Sequence, residues 1–180
     1  MEVSGSLGLD TCLVSLDQEK AFVRVEHRYL WKVLQRYGLS LGLIAKIKVM
    51  YENIESVLKI NSGLCKPFMV QRGIRQGCAM SGMLYSLSIE PMLHNVRVFI
   101  NGLFVPDISS NFISSAYADD IIIFIKNQED INRLGEIVET FGKLSAAKVN
   151  WAKSEALAVG KWSAGLPQLP GGLSWKRGGF

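Results

Sequence analysis

Asp17, the pair Asp119-Asp120, and Lys153 are the side chains whose types and spacing could do chemistry in this chain. Carboxylate oxygens are hard ligands of the kind Mg²⁺ takes, and carboxylates brought together from separate strands repel unless a cation lies between them. Two divalent ions held roughly 3.5–4 Å apart by such carboxylates are what nucleotidyl transfer uses, one activating an attacking hydroxyl and one steadying the leaving pyrophosphate. The Asp-Asp pair also has a plainer reading, because aspartate suits a tight turn, hydrogen-bonding its own backbone and tolerating positive φ. Taken singly, Asp17 reads as an exposed strand-end acid and Lys153 as a solvated lysine.

The elements that must position these groups follow from the apolar pattern. Phe112–Tyr117 and Ile121–Ile125 are aromatic and β-branched runs separated only by Ala118-Asp119-Asp120, which predicts a hairpin with the acids at its tip. Thr11–Leu16 reads as a buried strand that delivers Asp17 at its C-terminal end. Leu30, Val33, Leu34 and Tyr37 recur at helical spacing before Gly38 and predict an amphipathic helix over 25–37, with a second over 41–52. Val57–Asn61 and Pro67–Val70 suggest a hairpin around Ser62-Gly63, leading into the Arg72–Gly77 loop. Met80, Met83, Leu84 and Leu87 form another helical stripe, which Ser81 can cap and Pro91 should perturb or end. Asn127 can cap a long helix that places Ile131, Leu134, Val138 and Phe141 on one face. After Val159 the periodicity stops, and residues 160–180, rich in Gly, Pro and Trp, read as an irregular tail or linker.

Composition bounds the rest. A chain of 180 residues with 48% hydrophobic residues and mean hydropathy +0.18 suits one globular domain and excludes disorder. Its longest uninterrupted apolar run, Ile121–Ile125, is far short of the roughly 20 residues a membrane helix needs, so a soluble chain is expected. Cys12, Cys65 and Cys78 lack metal-ligand spacing, and no secretory signal precedes them, so they read as reduced packing thiols of an intracellular protein. A net charge of +4 permits contact with phosphate.

Leu16–Phe22, Arg72–Cys78, Tyr117–Asp120 and Lys148–Ser154 occur in the order and spacing of reverse transcriptases, and over residues 10–159 the chain most resembles the polymerases of LINE-type non-LTR retrotransposons. The resemblance implies an α+β fold, the palm of a right-hand polymerase, with an antiparallel sheet packed by helices. It makes Asp17, Asp119 and Asp120 the metal-binding acidic triad for two Mg²⁺ ions, with Mn²⁺ as a substitute. Phe22 matches the residue beneath the sugar that obstructs a 2′-hydroxyl. Arg72, Gly73, Arg75, Gln76 and Gly77 match the loop that contacts incoming nucleotide and template. Lys153 matches the lysine that neutralises or protonates departing pyrophosphate. The implied partners are an RNA template, a DNA primer and a dNTP. Read without the family, Phe22 is a core residue and the Arg72–Gly77 loop a surface turn.

Three positions depart from the family pattern: Val23 stands where Asp is usual, Ala79 where Pro is usual, and Ala146 where Gly follows Ser145. The Val23 exchange should weaken support for the loop rather than remove chemistry. The chain opens almost at the first motif and closes near where a thumb would start, so the resemblance implies fingers and thumb largely missing and weak or no activity for the isolated chain. The alternative function is an inactive or domesticated palm that binds nucleic acid or a protein partner.

Overall fold

The computed structural model describes residues 10–105, 110–160, 162 and 165–176. Strand β1 (Thr11–Leu16) is central and pairs antiparallel with β9 (Asp120–Ile125) on one side and β10 (Glu155–Val159) on the other. Strand β8 (Ser114–Tyr117) lies outside β9, and β11 (Ser174–Trp175) adds a parallel edge to β10, giving the order β11-β10-β1-β9-β8. Alternation along the strands decides the faces. Cys12, Val14 and Leu16 of β1 and Ile121, Ile123 and Ile125 of β9 are buried, whereas Leu13, Ser15, Ile122 and Phe124 on the opposite face are half-buried.

Helices cover the buried face. They are α1 (Ala21–Arg24), α2 (His27–Arg36), α3 (Leu41–Val49), α4 (Ser81–Phe99) and α5 (Gln128–Ser145). Of the stripe predicted for α2, Leu30, Val33 and Leu34 are buried, whereas Tyr37, at the helix end, is 44% exposed; Gly38, at φ +82°, follows that end. Asn127 caps α5 by accepting from the Asp130 N–H at 2.9 Å, and Ile131, Leu134, Val138 and Phe141 face the core.

Helix α4 departs from expectation, because Pro91 lies inside it and does not end it. The ring removes the donor that the Leu87 carbonyl would otherwise receive. Packing of Leu84, Tyr85, Ile89, Met92, Leu93 and Val96 into the core outweighs that loss. Nearby, the Tyr29 hydroxyl donates to the Ser88 carbonyl at 2.8 Å. Ser81 does not cap the helix; its hydroxyl donates instead to the Arg75 carbonyl. Met83, expected on the apolar stripe, is 64% exposed.

Residues 54–70 form a narrow two-stranded ribbon rather than one simple hairpin. Strands β3 (Lys59–Ile60) and β4 (Gly63–Leu64) close around Asn61-Ser62, both at positive φ, and β2 (Glu55–Ser56) pairs with β5 (Phe68–Met69) nearer the core. Strands β6 (Leu103–Val105) and β7 (Ser110–Phe112) make a separate pair, so the run expected over Phe112–Tyr117 breaks at Ile113.

Cys12 is buried, but Cys65 lies exposed on the ribbon, which corrects its assignment as a packing residue. The described part of the tail is largely irregular yet folds back on the sheet. Gln128 and Gln168 exchange two hydrogen bonds, the Trp175 indole donates to the Pro167 carbonyl, and Leu173 is buried. No helix among the described residues is long and apolar enough to cross a membrane.

Candidate active site

The three aspartates gather at one end of the central strands. The last ladder pair of β1 with β9 is Leu16 with Ile121, both facing the core. The next residue on each strand is Asp17 and Asp120, which therefore lie level with one another on the opposite, open face. Tyr117 pairs with Asp120, leaving Ala118-Asp119 as a two-residue turn with Ala118 at φ +52°. Such a turn ordinarily takes Gly at its first position, so the hairpin tip holds Ala in a strained left-handed conformation.

Asp119 and Asp120 are exposed and Asp17 is half-buried, and none of them joins a salt bridge among the described residues. Among those residues no three His, Cys, Asp or Glu side chains close into a cage around an ion. The aspartates form an open set of carboxylates, two exposed and one half-buried, with no salt-bridged cation among the described residues. That donor chemistry suits Mg²⁺, which commonly keeps several waters and binds through one or two carboxylates plus substrate phosphates.

The segment carrying Lys153 is tied to Asp17 through the backbone. The Ser154 hydroxyl accepts from the Asp17 N–H at 3.0 Å and donates to the Asn150 carbonyl at 2.9 Å, and the Asn150 N–H donates to the Asp17 carbonyl at 2.8 Å. Gln18 then bridges to Val149, and the Glu19 N–H reaches the Lys148 carbonyl. Lys153 is exposed in the turn these bonds define. Glu19 sits between Arg24 at 2.6 Å and Lys148 at 3.6 Å, and its carboxyl pKa is lowered chiefly by the Arg24 hydrogen bond.

The Arg72–Gly77 loop is bound to the segment after β1. Gly73 N–H donates to the Val25 carbonyl at 2.8 Å, Ile74 N–H to the Phe22 carbonyl at 2.7 Å, and His27 Nε2 lies 2.8 Å from the Gly73 carbonyl. His27 in turn packs edge-on to Tyr51, with ring centroids 5.2 Å apart. Gly73, at φ +94°, gives its open side to Val23: an added Cβ would fall 2.7 Å from the Val23 carbonyl oxygen. Hydrogen-bond support for the loop therefore runs through main-chain atoms at 22–25. Gly77, at φ +81°, has open space where a Cβ would stand. Arg72, Arg75 and Gln76 are exposed, and with Val23, Glu55 and Phe68 they line a cavity of about 450 Å³.

Phe22 lies between the two groups of residues. Its ring stacks on Tyr85 of α4, centroids 4.2 Å apart and planes inclined by 19°. Tyr85 is completely buried, and burial pushes its hydroxyl pKa up, with the Asp119 charge adding to the rise. Gln18 approaches that hydroxyl and acts against the rise, but the contact falls short of hydrogen-bond geometry, so Tyr85 Oη and Gln18 Nε2 are both buried without a partner. Sequence reasoning did not single out Tyr85, Gln18, His27 or Ser154. Ser154 and Gln18 carried a signal, as the residues after Lys153 and Asp17 within the matched motifs.

A central strand flanked by antiparallel neighbours, with acids at a strand end and a hairpin tip and helices on the opposite face, defines the palm of a right-hand polymerase. Solved structures share this fold: telomerase from Candida Tropicalis with the TWJ fragment of telomeric RNA superimposes with a TM-score of 0.65 at 14% identity, over 83% of this chain and 26% of that one. Its apo form truncated from the C-terminal domain gives 0.62 at 16% identity, over 86% and 32%. Residues 3–169 match the model of the reverse transcriptase (RNA-dependent DNA polymerase) family, and the chain belongs to that family. Among curated relatives, the transposon TX1 uncharacterized 149 kDa protein of Xenopus laevis is 41% identical over 170 residues, which are 94% of this chain and 13% of that protein. The Pol polyprotein from the type-2 retrotransposable element R2DM of Drosophila melanogaster is 25% identical over 147 residues, 82% of this chain and 14% of that protein. The chain thus spans about one seventh of the relatives it matches, and its kinship is with retrotransposons of the non-LTR kind.

Proposed function

We propose that the chain carries the palm, over residues 10–159, of an RNA-directed DNA polymerase that copies an RNA template by extending a DNA primer with dNTPs. The observation that carries this reading is the level placement of Asp17 and Asp120 on the open face, with Asp119 in the adjoining turn. Mg²⁺ bound by these carboxylates would supply Lewis-acid activation of the primer 3′-hydroxyl and neutralisation of the triphosphate. Bond formation joins the primer 3′-oxygen to the α-phosphorus of the dNTP and breaks the bond to pyrophosphate.

The chain's own residues supply position. Phe22 stands as a wall against a 2′-hydroxyl, discriminating by collision. Arg72 and Arg75 present exposed guanidinium groups to phosphate, Gln76 offers an amide for hydrogen bonding, and Gly73 and Gly77 shape the loop, with Gly77 free to let the ligand approach its backbone. Lys153, on the turn held against Asp17, donates charge or a proton to departing pyrophosphate. The half-buried open face of the sheet is the side on which a primer–template duplex would lie.

Primer extension on poly(rA) with oligo(dT), dTTP and Mg²⁺, run beside Asp119→Asn, tests this. Weak synthesis that disappears in Asp119→Asn is expected. Equal blanks from both proteins refute polymerase activity for this chain and leave the inactive palm that binds nucleic acid or protein.

A further inference from the structure

Backbone hydrogen bonds place the main chain of Phe22, since its carbonyl accepts from Ile74 and the loop is clasped at Val25. They do not fix its χ1 and χ2 angles. A side chain that selects by collision works only if it cannot turn aside, so something must hold the ring. Phe22 is half-buried, and the ring beneath it belongs to Tyr85, stacked at 4.2 Å and nearly parallel. Tyr85 has no exposed surface, so it has no room to yield. At the far end of its ring the hydroxyl lies near Gln18, the residue after Asp17, and Tyr85 Oη and Gln18 Nε2 are both buried and unpartnered. One side chain on α4 therefore touches the sugar wall at its face and the neighbourhood of the acids at its tip.

We propose that Tyr85 is a specificity-determining positioning residue: by holding the Phe22 ring flat from below, it sets how strongly the site rejects a ribonucleotide. The inference rests on the function proposed above, in which Phe22 is the sugar wall. A shorter residue at 85 would leave space under the ring, and Phe22 would tilt into it and admit the 2′-hydroxyl. Phenylalanine would keep the stack and lose only the hydroxyl.

Competition of dUTP and UTP against a fluorescent deoxynucleotide, measured at equilibrium on the full chain with Mg²⁺, reads the wall directly, because the two competitors differ only at the 2′ position. The unsubstituted chain is expected to prefer dUTP. Tyr85→Leu is expected to shrink that preference about threefold or more, a size in keeping with modest steric discrimination. Tyr85→Phe should retain it. Phe22→Ala should abolish the preference and make Tyr85→Leu silent in the double variant. Should Tyr85→Leu fail to fold, Tyr85→Met, unbranched and nearer in length, carries the same expectation. An unchanged dUTP-to-UTP ratio in a folded Leu or Met variant, or an equal loss of both affinities, overturns the role of Tyr85 while leaving the proposed function standing. Absence of any nucleotide binding by the unsubstituted chain overturns both.

Discussion

Ile74 donates its backbone N–H to the Phe22 carbonyl across 2.7 Å, so the Arg72–Gly77 loop and Phe22 are one hydrogen-bonded unit. A displacement of the loop moves Phe22 as well. Gly73 beside it has no room for a side chain, with φ at +94° and the Val23 carbonyl oxygen 2.7 Å from where a Cβ would lie. Gly73→Ala is expected to cost about 2 kcal/mol or more, since both the dihedral and the contact oppose it. Urea unfolding checks this, and a midpoint equal to that of the unsubstituted chain would show that the loop does not press on Val23.

Ser154 joins the strand-end acid to the lysine turn, with a hydroxyl that is donor to Asn150 and acceptor from Asp17. Removing it leaves the Asp17 N–H without its partner. Ser154→Ala should lower stability by about 1–3 kcal/mol and weaken Mn²⁺ binding, while Ser154→Thr, which keeps the hydroxyl, should largely restore both. Calorimetric Mn²⁺ titration and thermal melts on the same preparations make the comparison. Full retention of both properties in the alanine variant would dismiss the connection.

Ala146 follows α5 at φ +58°, ψ +10°, its N–H donating to the Gly142 carbonyl at 3.0 Å. This is a left-handed helix end, where glycine has no Cβ penalty. The family's glycine at this position thus has a physical reason. Ala146→Gly is expected to raise stability by about 1 kcal/mol, read as a higher urea midpoint at unchanged slope. A fall would mean that the added freedom of the unfolded chain outweighs the relieved strain.

Burial pushes the Cys12 thiol from 9.0 up to about 12. The folded value lies above the unfolded one, so the contribution to stability is complete below pH 9 and is lost as pH rises towards 12. At full effect it is on the order of 4 kcal/mol. Tyr29 and Tyr85, also raised by burial, add to the alkaline loss. Cys12→Ala should flatten the decline in melting temperature between pH 9 and 11, an outcome that an unaltered slope would contradict. With a thiol reagent at pH 8, exposed Cys65 should react first and Cys12 only on unfolding.

What could be read in advance was what local pattern encodes. The α2 and α5 stripes, the Asn127 cap and the hairpin that ends at Asp119-Asp120 all follow from side-chain periods of a few residues. A helix at α4 was legible too, but not the face it buries, since Met83 is exposed while Tyr85, Ser88 and Ile89 are buried, nor that its packing would carry the helix through Pro91. Pairing across the chain leaves no such period. Nothing in Ser154 announces that it meets Asp17, and nothing in Tyr85 distinguishes a strut beneath Phe22 from an ordinary core aromatic. The residues assigned to the candidate site come from resemblance, whereas the contacts that hold them are set by tertiary packing.

The central strand has a consequence for how the protein is made. Both partners of β1 come after it in the chain, and Ser154 follows Asp17 by 137 residues. At about 5–20 residues per second, a ribosome needs roughly 7–27 s to bridge that interval. Until β9 arrives, a strand carrying Cys12, Val14 and Leu16 has two bare edges, and the edge that β10 covers stays bare longer, open to wrong pairing with other nascent chains. A partly translated chain can therefore hold all of β1 and still have no acidic site, which comes into being only when β9 and the hairpin turn before it arrive.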